Sequence, residues 1–412
     1  MLVPETMDEV STKDMIVNGF NQLGLNQENP SEIYLLPAAL IYRISEFLQD
    51  DRWLILCHLK NIGPKRLILK GQQFLESKYE NVLSRLPTLE VLEISYPHGR
   101  GEIDYVAFKN LVNLKVLRVQ LNRYTHIGLS SISSLQELRE LDLSYNSLKD
   151  GLCEQLSQLS HLKVLRARQT QLTSKGVHNL SSMVQLVELD LGNNSIKNEG
   201  CEHISKLINL MVLNIQGTNT NHDGVLYVAS SLEKLEKLNL NGNGNPKHDG
   251  NVSCLHLSKL KSLKEIRFEG AGVTAVGLEN LATSRSVEHM KLLHLNKNAI
   301  GDIGCISIAK FVNLKELNVP SNHIGDLGAK ELKVLSKLEN LDISKNIIGD
   351  VGCRYLSELK TLKHLNLSGN VIGDAGCAYL STLDLNFIQI SNSDGLTEAG
   401  FDSLNYHSII IM

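Results

Sequence analysis

The feature that most constrains this chain is a repeat of 24 residues, which is clearest in its C-terminal half. Residues 338–346 read Leu-Glu-Asn-Leu-Asp-Ile-Ser-Lys-Asn, and closely similar segments lie at residues 314–322 and 362–370. A fixed period of this length is typical of solenoids, in which each repeat packs only against its neighbours. The sequence therefore predicts a stack of small units rather than several globular domains.

Within one repeat, the spacing of apolar residues predicts a short strand followed by a helix. Leu341 and Ile343 lie two residues apart, so both point inward from the strand, and the Asn346 amide can bond backbone groups where the chain turns away. Asp350 lies where the helix is expected to begin, and we expect its carboxylate to cap that helix. Apolar residues at spacings of three then form one helical face.

The same unit can be followed along most of the chain. By this count, about fourteen repeats begin at Pro64, Leu89, Leu114, Leu138, Leu162, Leu186, Leu210, Leu235, Leu263, Met290, Leu314, Leu338, Leu362 and Leu385. We predict four regions, which are a flexible segment over residues 1–30, a helical segment over residues 31–61, the repeats over residues 62–393 and a C-terminal cap over residues 394–412.

This pattern resembles that of leucine-rich repeat proteins, because both the period and the L-x-x-L-x-L-x-x-N core recur. The helical half, I-G-D-x-G-[CA]-x-x-L, is most similar to the GALA-type subclass. Ala329 occupies the small position of that motif, and Cys305, Cys353 and Cys377 replace it in other repeats. The resemblance implies an α/β solenoid, curved, with parallel strands on a concave face and helices on a convex face.

Composition and motifs narrow the function. A formal net charge of −4 gives no reason to expect nucleic-acid binding, and no apolar run approaches the roughly 18 residues that cross a bilayer. No catalytic or metal-binding motif is complete, so we expect neither enzymatic activity nor a cofactor or metal. Cysteines recur at one small helical position, which predicts buried, reduced thiols and a cytoplasmic protein. These cysteines are Cys153, Cys201, Cys305, Cys353 and Cys377.

Residues 31–61 differ from the repeats. Leu36 and Pro37 open a predicted helix that ends in Phe47-Leu48, and an acidic turn separates it from a second apolar helix. This arrangement resembles an F-box, although Ala39 replaces the acid that is usual there. The resemblance implies contact with a Skp-type adaptor through Leu36, Pro37, Leu40, Ile44, Leu48 and Leu54. The alternative is a helical cap that covers the exposed end of the solenoid.

Side chains at the middle of each strand are expected to project onto the concave face. Arg118, Asp142, Arg166 and Asp190 alternate in sign, which predicts either a ladder of paired charges or a polar recognition strip. The predicted target-binding surface consists of Glu93, Tyr96, Arg118, Leu121, Asp142, Tyr145, Arg166, Arg168 and Asp190. A second candidate surface comprises Arg267, Glu269, His294 and Lys297.

Three functions remain open at this stage. The pairing of an F-box-like segment with GALA-type repeats resembles effectors that bacteria deliver into host cells. It implies a substrate receptor of an SCF-type ubiquitin ligase that acts in the host cytoplasm. The alternatives are a binding scaffold that acts without a ligase and a regulator of a GTPase or hydrolase. In each case we expect the partner to be a protein.

Overall fold

The computed structural model describes the repeats in most detail. The described residues are 32–33, 65–70, 86, 88–95, 101–104, 106–120, 125–128, 132–244, 248–393 and 395–404. The chain divides into two compact units, Met1–Leu172 and Thr173–Met412. Each unit combines a layer of parallel strands with helices that connect one strand to the next.

In the described part of the first unit, one parallel sheet contains six strands. These are Glu32–Ile33, Arg66–Lys70, Val91–Ser95, Val116–Gln120, Glu140–Asp142 and Val164–Arg166. Two strands in the connectors, Gly101–Asp104 and Thr125–Gly128, pair in a separate parallel sheet, which the leucine spacing does not predict. The helical elements are Val106–Asn110, Ile132–Ser134 and Asp150–Leu152, which are 3₁₀ helices, and the α-helix Cys153–Leu156.

The second unit repeats a strand and a helix with little variation. Its strands are Glu188–Asp190, Val212–Asn214, Lys237–Asn239, Glu265–Arg267, Leu292–His294, Glu316–Asn318, Asn340–Asp342, His364–Asn366 and Phe387–Gln389. Its α-helices are Ser174–Leu180, Lys197–Ile204, His222–Ser231, Gly250–Leu257, Ala275–Leu281, Gly301–Ile308, Asp326–Leu332, Asp350–Leu356, Asp374–Leu380 and Glu398–Ser403, and a 3₁₀ helix covers Arg285–Glu288.

The spacing of leucines explains the position of every repeat strand. Each predicted repeat start is followed two residues later by a strand, from Arg66 in the first repeat to Phe387 in the last. Leu341 and Ile343 are 2% and 0% exposed, so they point into the core as predicted. The predicted α/β solenoid class, with parallel strands and helices, is confirmed. The predicted domain boundaries stay predictions.

Buried asparagines bond backbone groups at the turns, as predicted for Asn346, and they also join neighbouring repeats. Its Nδ2 donates to the carbonyl oxygens of Ile343 at 2.9 Å and Val319 at 3.0 Å. Its Oδ1 accepts the N–H groups of Asn322 at 2.9 Å and Ile324 at 3.0 Å, which belong to the preceding repeat. Asn146, Asn194, Asn243, Asn298, Asn322 and Asn370 are buried at the same position. Each amide thus satisfies polar backbone groups that water cannot reach.

The prediction that Asp350 caps its own helix is wrong, because its carboxylate binds the following helix. Asp350 is the first residue of its own helix and makes no side-chain cap there, because the N-cap residue is Gly349. The Asp350 Oδ1 instead accepts the N–H groups of Gly373 at 2.8 Å and Gly376 at 2.9 Å in the following repeat. The same pair of contacts is made by Asp302 and Asp326. The carboxylate therefore caps the next helix and ties two repeats together.

The cysteines pack as predicted. Cys153, Cys201, Cys305, Cys353 and Cys377 are buried thiols on the helices, and Cys254, which the sequence analysis left out, occupies the same position. Burial raises the pKa of Cys201 and of Cys254 to about 12. These thiols therefore stay protonated at neutral pH and serve as small apolar packing residues.

Several predicted residues lie outside the described part of the chain. They are the adaptor-binding residues Leu36, Pro37, Leu40, Ile44, Leu48 and Leu54, together with Tyr96 and Leu121 of the target-binding surface. In the described residues, no helix combines the length and the apolar character that a membrane span requires.

Candidate functional site

Two columns of side chains cover the exposed face of each sheet. We name the start column after the first residue of each strand, such as Glu140. We name the end column after the third residue of each strand, such as Asp142. Arg118, Asp142 and Arg166 pair in register and therefore lie side by side, about 4.8 Å apart. We call both columns together the strand face. The sequence analysis used only the end column, although a period of two places both columns on one face.

A chain of ion pairs crosses the strand face of the first unit. Glu93 Oε1 contacts Arg66 Nη2 at 3.0 Å and Arg118 Nη1 at 2.6 Å. Glu140 Oε1 contacts Arg118 Nη2 at 2.9 Å and Arg166 Nη1 at 2.7 Å. Five side chains on consecutive strands thus form one network, which we call the charge ladder. Its arginine side chains remain between 31% and 39% exposed.

The acidic member of the charge ladder differs from the predicted one. Asp142 is only 6% exposed, and its Oδ1 accepts the N–H of Ser144 at 2.9 Å. Glu140, from the start column, bonds both arginines in its place. Burial raises the pKa of Glu140, but the hydrogen bonds from Arg118 and Arg166 lower it by more, so the pKa lies below the ordinary 4.5. Glu140 is therefore charged at neutral pH.

Six of the seven Asp and Asn residues in the end column of the described strands share the task of Asp142. Their side-chain oxygen accepts the N–H two residues further along the chain and so closes the turn that follows the strand. Asp142, Asp190, Asn214, Asn239, Asp342 and Asn366 make this contact. Arg118, Arg166 and Arg267 occupy the same column, but an arginine has no acceptor and cannot close the turn. Their side chains therefore do not accept the N–H that closes the turn.

Tyr145 and Arg168 flank the end column in the turns of the first unit. Tyr145 is 43% exposed, and its φ of 63° lies in the left-handed region, which is costly for a bulky residue. Gly217, Gly242, Gly270 and Gly369 hold the same turn position in other repeats. Arg168 is half-buried, and its Nε has no hydrogen-bond partner within the described residues. The exposed Tyr145 ring is available for contacts beyond the repeat, whereas the unpartnered Nε of Arg168 is itself buried.

Asp190, the remaining predicted residue, belongs to the second unit. Its Oδ1 accepts the N–H of Gly192 at 2.8 Å, and its Oδ2 accepts Asn214 Nδ2 at 2.9 Å. Both oxygens therefore serve the turn and the neighbouring strand.

The second candidate surface consists of separate ion pairs. Arg267 contacts Glu265 at 3.6 Å, His294 contacts Glu316 at 2.7 Å and Lys297 contacts Glu269 at 3.0 Å. Burial lowers the pKa of His294 below its ordinary 6.5, although Glu316 opposes this change. At neutral pH this imidazole is therefore largely uncharged, and its contact with Glu316 is a hydrogen bond rather than an ion pair.

A groove of about 290 Å³ lies on the strand face of the second unit. Its lining consists of Glu316, Leu317, Asn318, Asn340, Leu341, Asp342, His364, Leu365, Asn366, Phe387 and Gln389. The predicted binding surfaces did not include this region, because the side chains that flank the late strands are mainly Ser, Gly, Asn and Lys. The start column adds His364 and Phe387 there, the two aromatic residues of this column in the second unit.

Within the described residues, no cluster of three or more His, Cys, Asp and Glu side chains has the arrangement of a metal site.

Comparison with known proteins identifies the repeats. Residues 74–272 match a family model described as a leucine-rich repeat region, and residues 288–309 and 312–372 match two further leucine-rich repeat models. No curated protein matches this sequence.

Solved structures support the same fold. A leucine-rich repeat protein from Leptospira interrogans superposes with a TM-score of 0.56 at 17% identity over 100% of both chains. An internalin from Listeria monocytogenes superposes with a TM-score of 0.50 at 20% identity, over 84% of this chain and 94% of the other. These structural similarities show the fold alone, whereas the family models match the sequence of the repeats. The chain is a leucine-rich repeat protein.

Proposed function

We propose that this chain is a protein-interaction scaffold whose strand face in the first unit binds a partner protein. Leucine-rich repeat proteins are typically interaction scaffolds without catalytic activity. The observation that carries the proposal is the presence of Arg118 and Arg166 in the end column, where six other repeats have a turn-closing Asp or Asn. An arginine cannot accept the N–H that closes the turn, and the side chains of Arg118 and Arg166 are exposed by 35% and 31%.

The energetics of the charge ladder support a role in binding. Ion pairs that remain this exposed contribute only about 0–1 kcal/mol each to folding, because water and salt screen them. The fold therefore gains little from the five charged side chains. Arginine is enriched at the centres of protein interfaces, where it forms bidentate hydrogen bonds with carboxylates. Three arginines and two glutamates give the ladder a net charge of +1, so we expect an acidic patch on the partner.

Affinity capture with matched variants tests this proposal. We expect the full-length chain to capture a partner from cell lysate, and the double variant Arg118→Ser with Arg166→Ser to capture at least about tenfold less. The control is Lys175→Ser with Lys206→Ser, which removes the same charge from exposed positions on and next to helices. Equal capture by both variants, with unchanged circular dichroism, would rule out the strand face of the first unit as the binding surface.

The finer proposal concerns the N-terminal segment. We propose that residues 31–61 recruit a Skp-type adaptor, which makes the chain a substrate receptor that acts in the cytoplasm by bringing a target to the ligase. If the chain is a bacterial effector, that cytoplasm is the host's. Support comes from the sequence alone, through the Leu-Pro opening and the apolar stripe that contains Leu40 and Ile44.

A pull-down with purified adaptor separates recruitment from simple capping. Recruitment predicts that the full-length chain retains the adaptor and that Leu40→Ala with Ile44→Ala abolishes retention without lowering the melting temperature. A cap predicts no retention by either protein and a lower melting temperature for the variant. The control Val276→Ala with Ile303→Ala removes two exposed aliphatic side chains, 58% and 72% exposed, from the repeats.

A further inference from the structure

Asn318 departs from the rule that governs Asp and Asn in the end column. In the six repeats described above, the side-chain oxygen accepts the N–H two residues further along the chain. Two residues after Asn318 the chain has Pro320, which has no N–H to donate. Asn318 Oδ1 is buried and has no hydrogen-bond partner among the described residues. Such an acceptor costs free energy, and the turn does not hold the amide in place.

The groove around Asn318 is acidic. Glu316 precedes Asn318 on the same strand face, and Asp342 pairs with Asn318 in register on the next strand. Both carboxylates line the groove, and its described lining contains no lysine or arginine. His294 hydrogen-bonds to Glu316 at 2.7 Å, but its lowered pKa leaves it largely uncharged at neutral pH. Two carboxylates thus face a concave space that attracts cations, and the Asn318 amide beside them, which the turn does not hold, can rotate to present its unpaired oxygen to that space.

We propose that this groove binds an arginine side chain of a partner protein. A guanidinium group has five N–H donors and no acceptor, so it can bond the carboxylates of Glu316 and Asp342 and supply the donor that Asn318 Oδ1 lacks. The inference rests on the proposed scaffold function only in assigning the arginine to a protein, since it concerns the second unit and not the charge ladder.

The size and the far end of the groove define the occupant further. A space of about 290 Å³ accommodates one long side chain with a short piece of backbone, and it is too small for a helix. Phe387 and His364 line the other end, with ring centroids 6.4 Å apart. They lie one to two strands from Asp342, roughly 5–10 Å away by strand spacing. An apolar residue about three positions after the arginine reaches these rings in an extended peptide.

Fluorescence anisotropy with defined peptides tests the inference. The full-length chain is titrated, at about 50 mM salt to limit screening, against the labelled peptide Gly-Arg-Gly-Gly-Leu-Gly. We expect saturable binding, with at least about threefold weaker binding when lysine replaces the arginine, because an ammonium group cannot form the planar, bidentate contacts. Absence of binding, or equal binding of the two peptides, would overturn the proposal.

The variant Pro320→Ser makes the test specific to Asn318. Serine restores the N–H that Ser344 and Ser368 supply in the next two repeats, so Asn318 should then close its own turn. The Pro320 carbonyl accepts from Lys297 N–H at 2.9 Å, and serine keeps that oxygen. We expect peptide affinity to fall by about fivefold while the melting temperature stays the same or rises.

Two further variants complete the design. Asn318→Ala should weaken peptide binding to the same degree as Pro320→Ser, whereas Asn239→Ala, in the same column but outside the groove lining, should leave it unchanged. Wild-type affinity in both Pro320→Ser and Asn318→Ala would contradict the assignment. If the peptide fails to bind while capture still depends on Arg118 and Arg166, only this inference is lost and the proposed scaffold function stands.

Discussion

Individual residues on the strand face have two distinct tasks. Asp142 and Asp342 close the turn after their own strand, with contacts of 2.9 and 3.0 Å to the N–H groups of Ser144 and Ser344. Arg118 and Arg166 occupy the same column but bond to Glu140 across strands. A polar side chain at this position is therefore evidence for binding only when the turn does not use it.

Replacement of Glu140 by glutamine should lower stability in a pH-dependent way. The pKa of Glu140 is lowered in the folded state, so its contribution is present above the unfolded pKa of about 4.3 and is lost as pH falls through the folded value. We expect Glu140→Gln to reduce the free energy of unfolding by about 1 kcal/mol at pH 7. Urea denaturation should show this difference shrinking below pH ~4.

The control for this measurement is Glu137→Gln, at an exposed position near the same strand. It should change stability little at any pH. A deficit of Glu140→Gln that persists undiminished at low pH would mean that charge pairing is not its cause.

Replacement of Tyr145 by glycine should separate binding from stability. Glycine adopts the left-handed backbone of this turn without strain, which offsets the greater entropy that it has in the unfolded chain. We expect the free energy of unfolding of Tyr145→Gly, measured by thermal denaturation, to stay within about 1 kcal/mol of the wild-type value. Capture of the partner protein should fall. Capture at the wild-type level would remove Tyr145 from the binding surface.

At the scale of strands and helices, side-chain hydrogen bonds join each repeat to the next one. Asp326 Oδ1 accepts the N–H of Gly349 at 2.7 Å and that of Gly352 at 2.8 Å. A side chain on Gly352 would collide with this carboxylate, because an added Cβ would lie 2.5 Å from Asp326 Oδ1. The second glycine of the I-G-D-x-G motif is thus explained by the aspartate of the preceding repeat.

Replacement of Asp326 by alanine should therefore loosen the following helix. We expect loss of about 1–3 kcal/mol, because two buried N–H groups lose a charged acceptor. Hydrogen exchange should accelerate at Gly349 and Gly352 more than within Asp326–Leu332. Asp326→Asn serves as the control, because Asn198 already performs this task for Asn221 N–H at 3.0 Å. Faster exchange confined to the helix of Asp326 would contradict the account.

The same contacts show what a repeat sequence can and cannot predict. The strands followed from the leucine spacing, because a period of two decides which side chains enter the core. The buried role of Asn346 also followed, because a turn next to a core needs an internal hydrogen-bond partner. The partner of Asp350 did not follow, because the contact joins residues 23 and 26 positions apart that only the stacking of repeats brings together.

The candidate site was predicted in part for a related reason. Considering one side chain per strand found Arg118 and Arg166 but missed Glu140, which lies two residues from Asp142 on the same face. The effect of Pro320 on Asn318 was equally absent from the single-repeat pattern. It becomes visible only when each turn is compared with its counterparts in other repeats.

At the scale of the whole molecule, each of the two compact units is a stack of repeats that presents exposed polar columns. Core leucines and the contacts of asparagine and aspartate side chains hold neighbouring repeats together, whereas the exposed ion pairs of the charge ladder add little to stability. The two surfaces belong to different units, and each has its own predicted partner chemistry, an acidic patch for the ladder and an arginine for the groove.

The most direct test of the central claim is side-chain footprinting of the full-length chain with and without its captured partner. Hydroxyl radicals oxidise exposed tyrosines, and three such residues have nearly equal exposure. Tyr145, beside the charge ladder, is 43% exposed, and Tyr227 and Tyr379, on helices, are 41% and 40% exposed. The account predicts that the partner protects Tyr145 and leaves Tyr227 and Tyr379 unchanged. Protection of the helical tyrosines with Tyr145 still fully oxidised would contradict it.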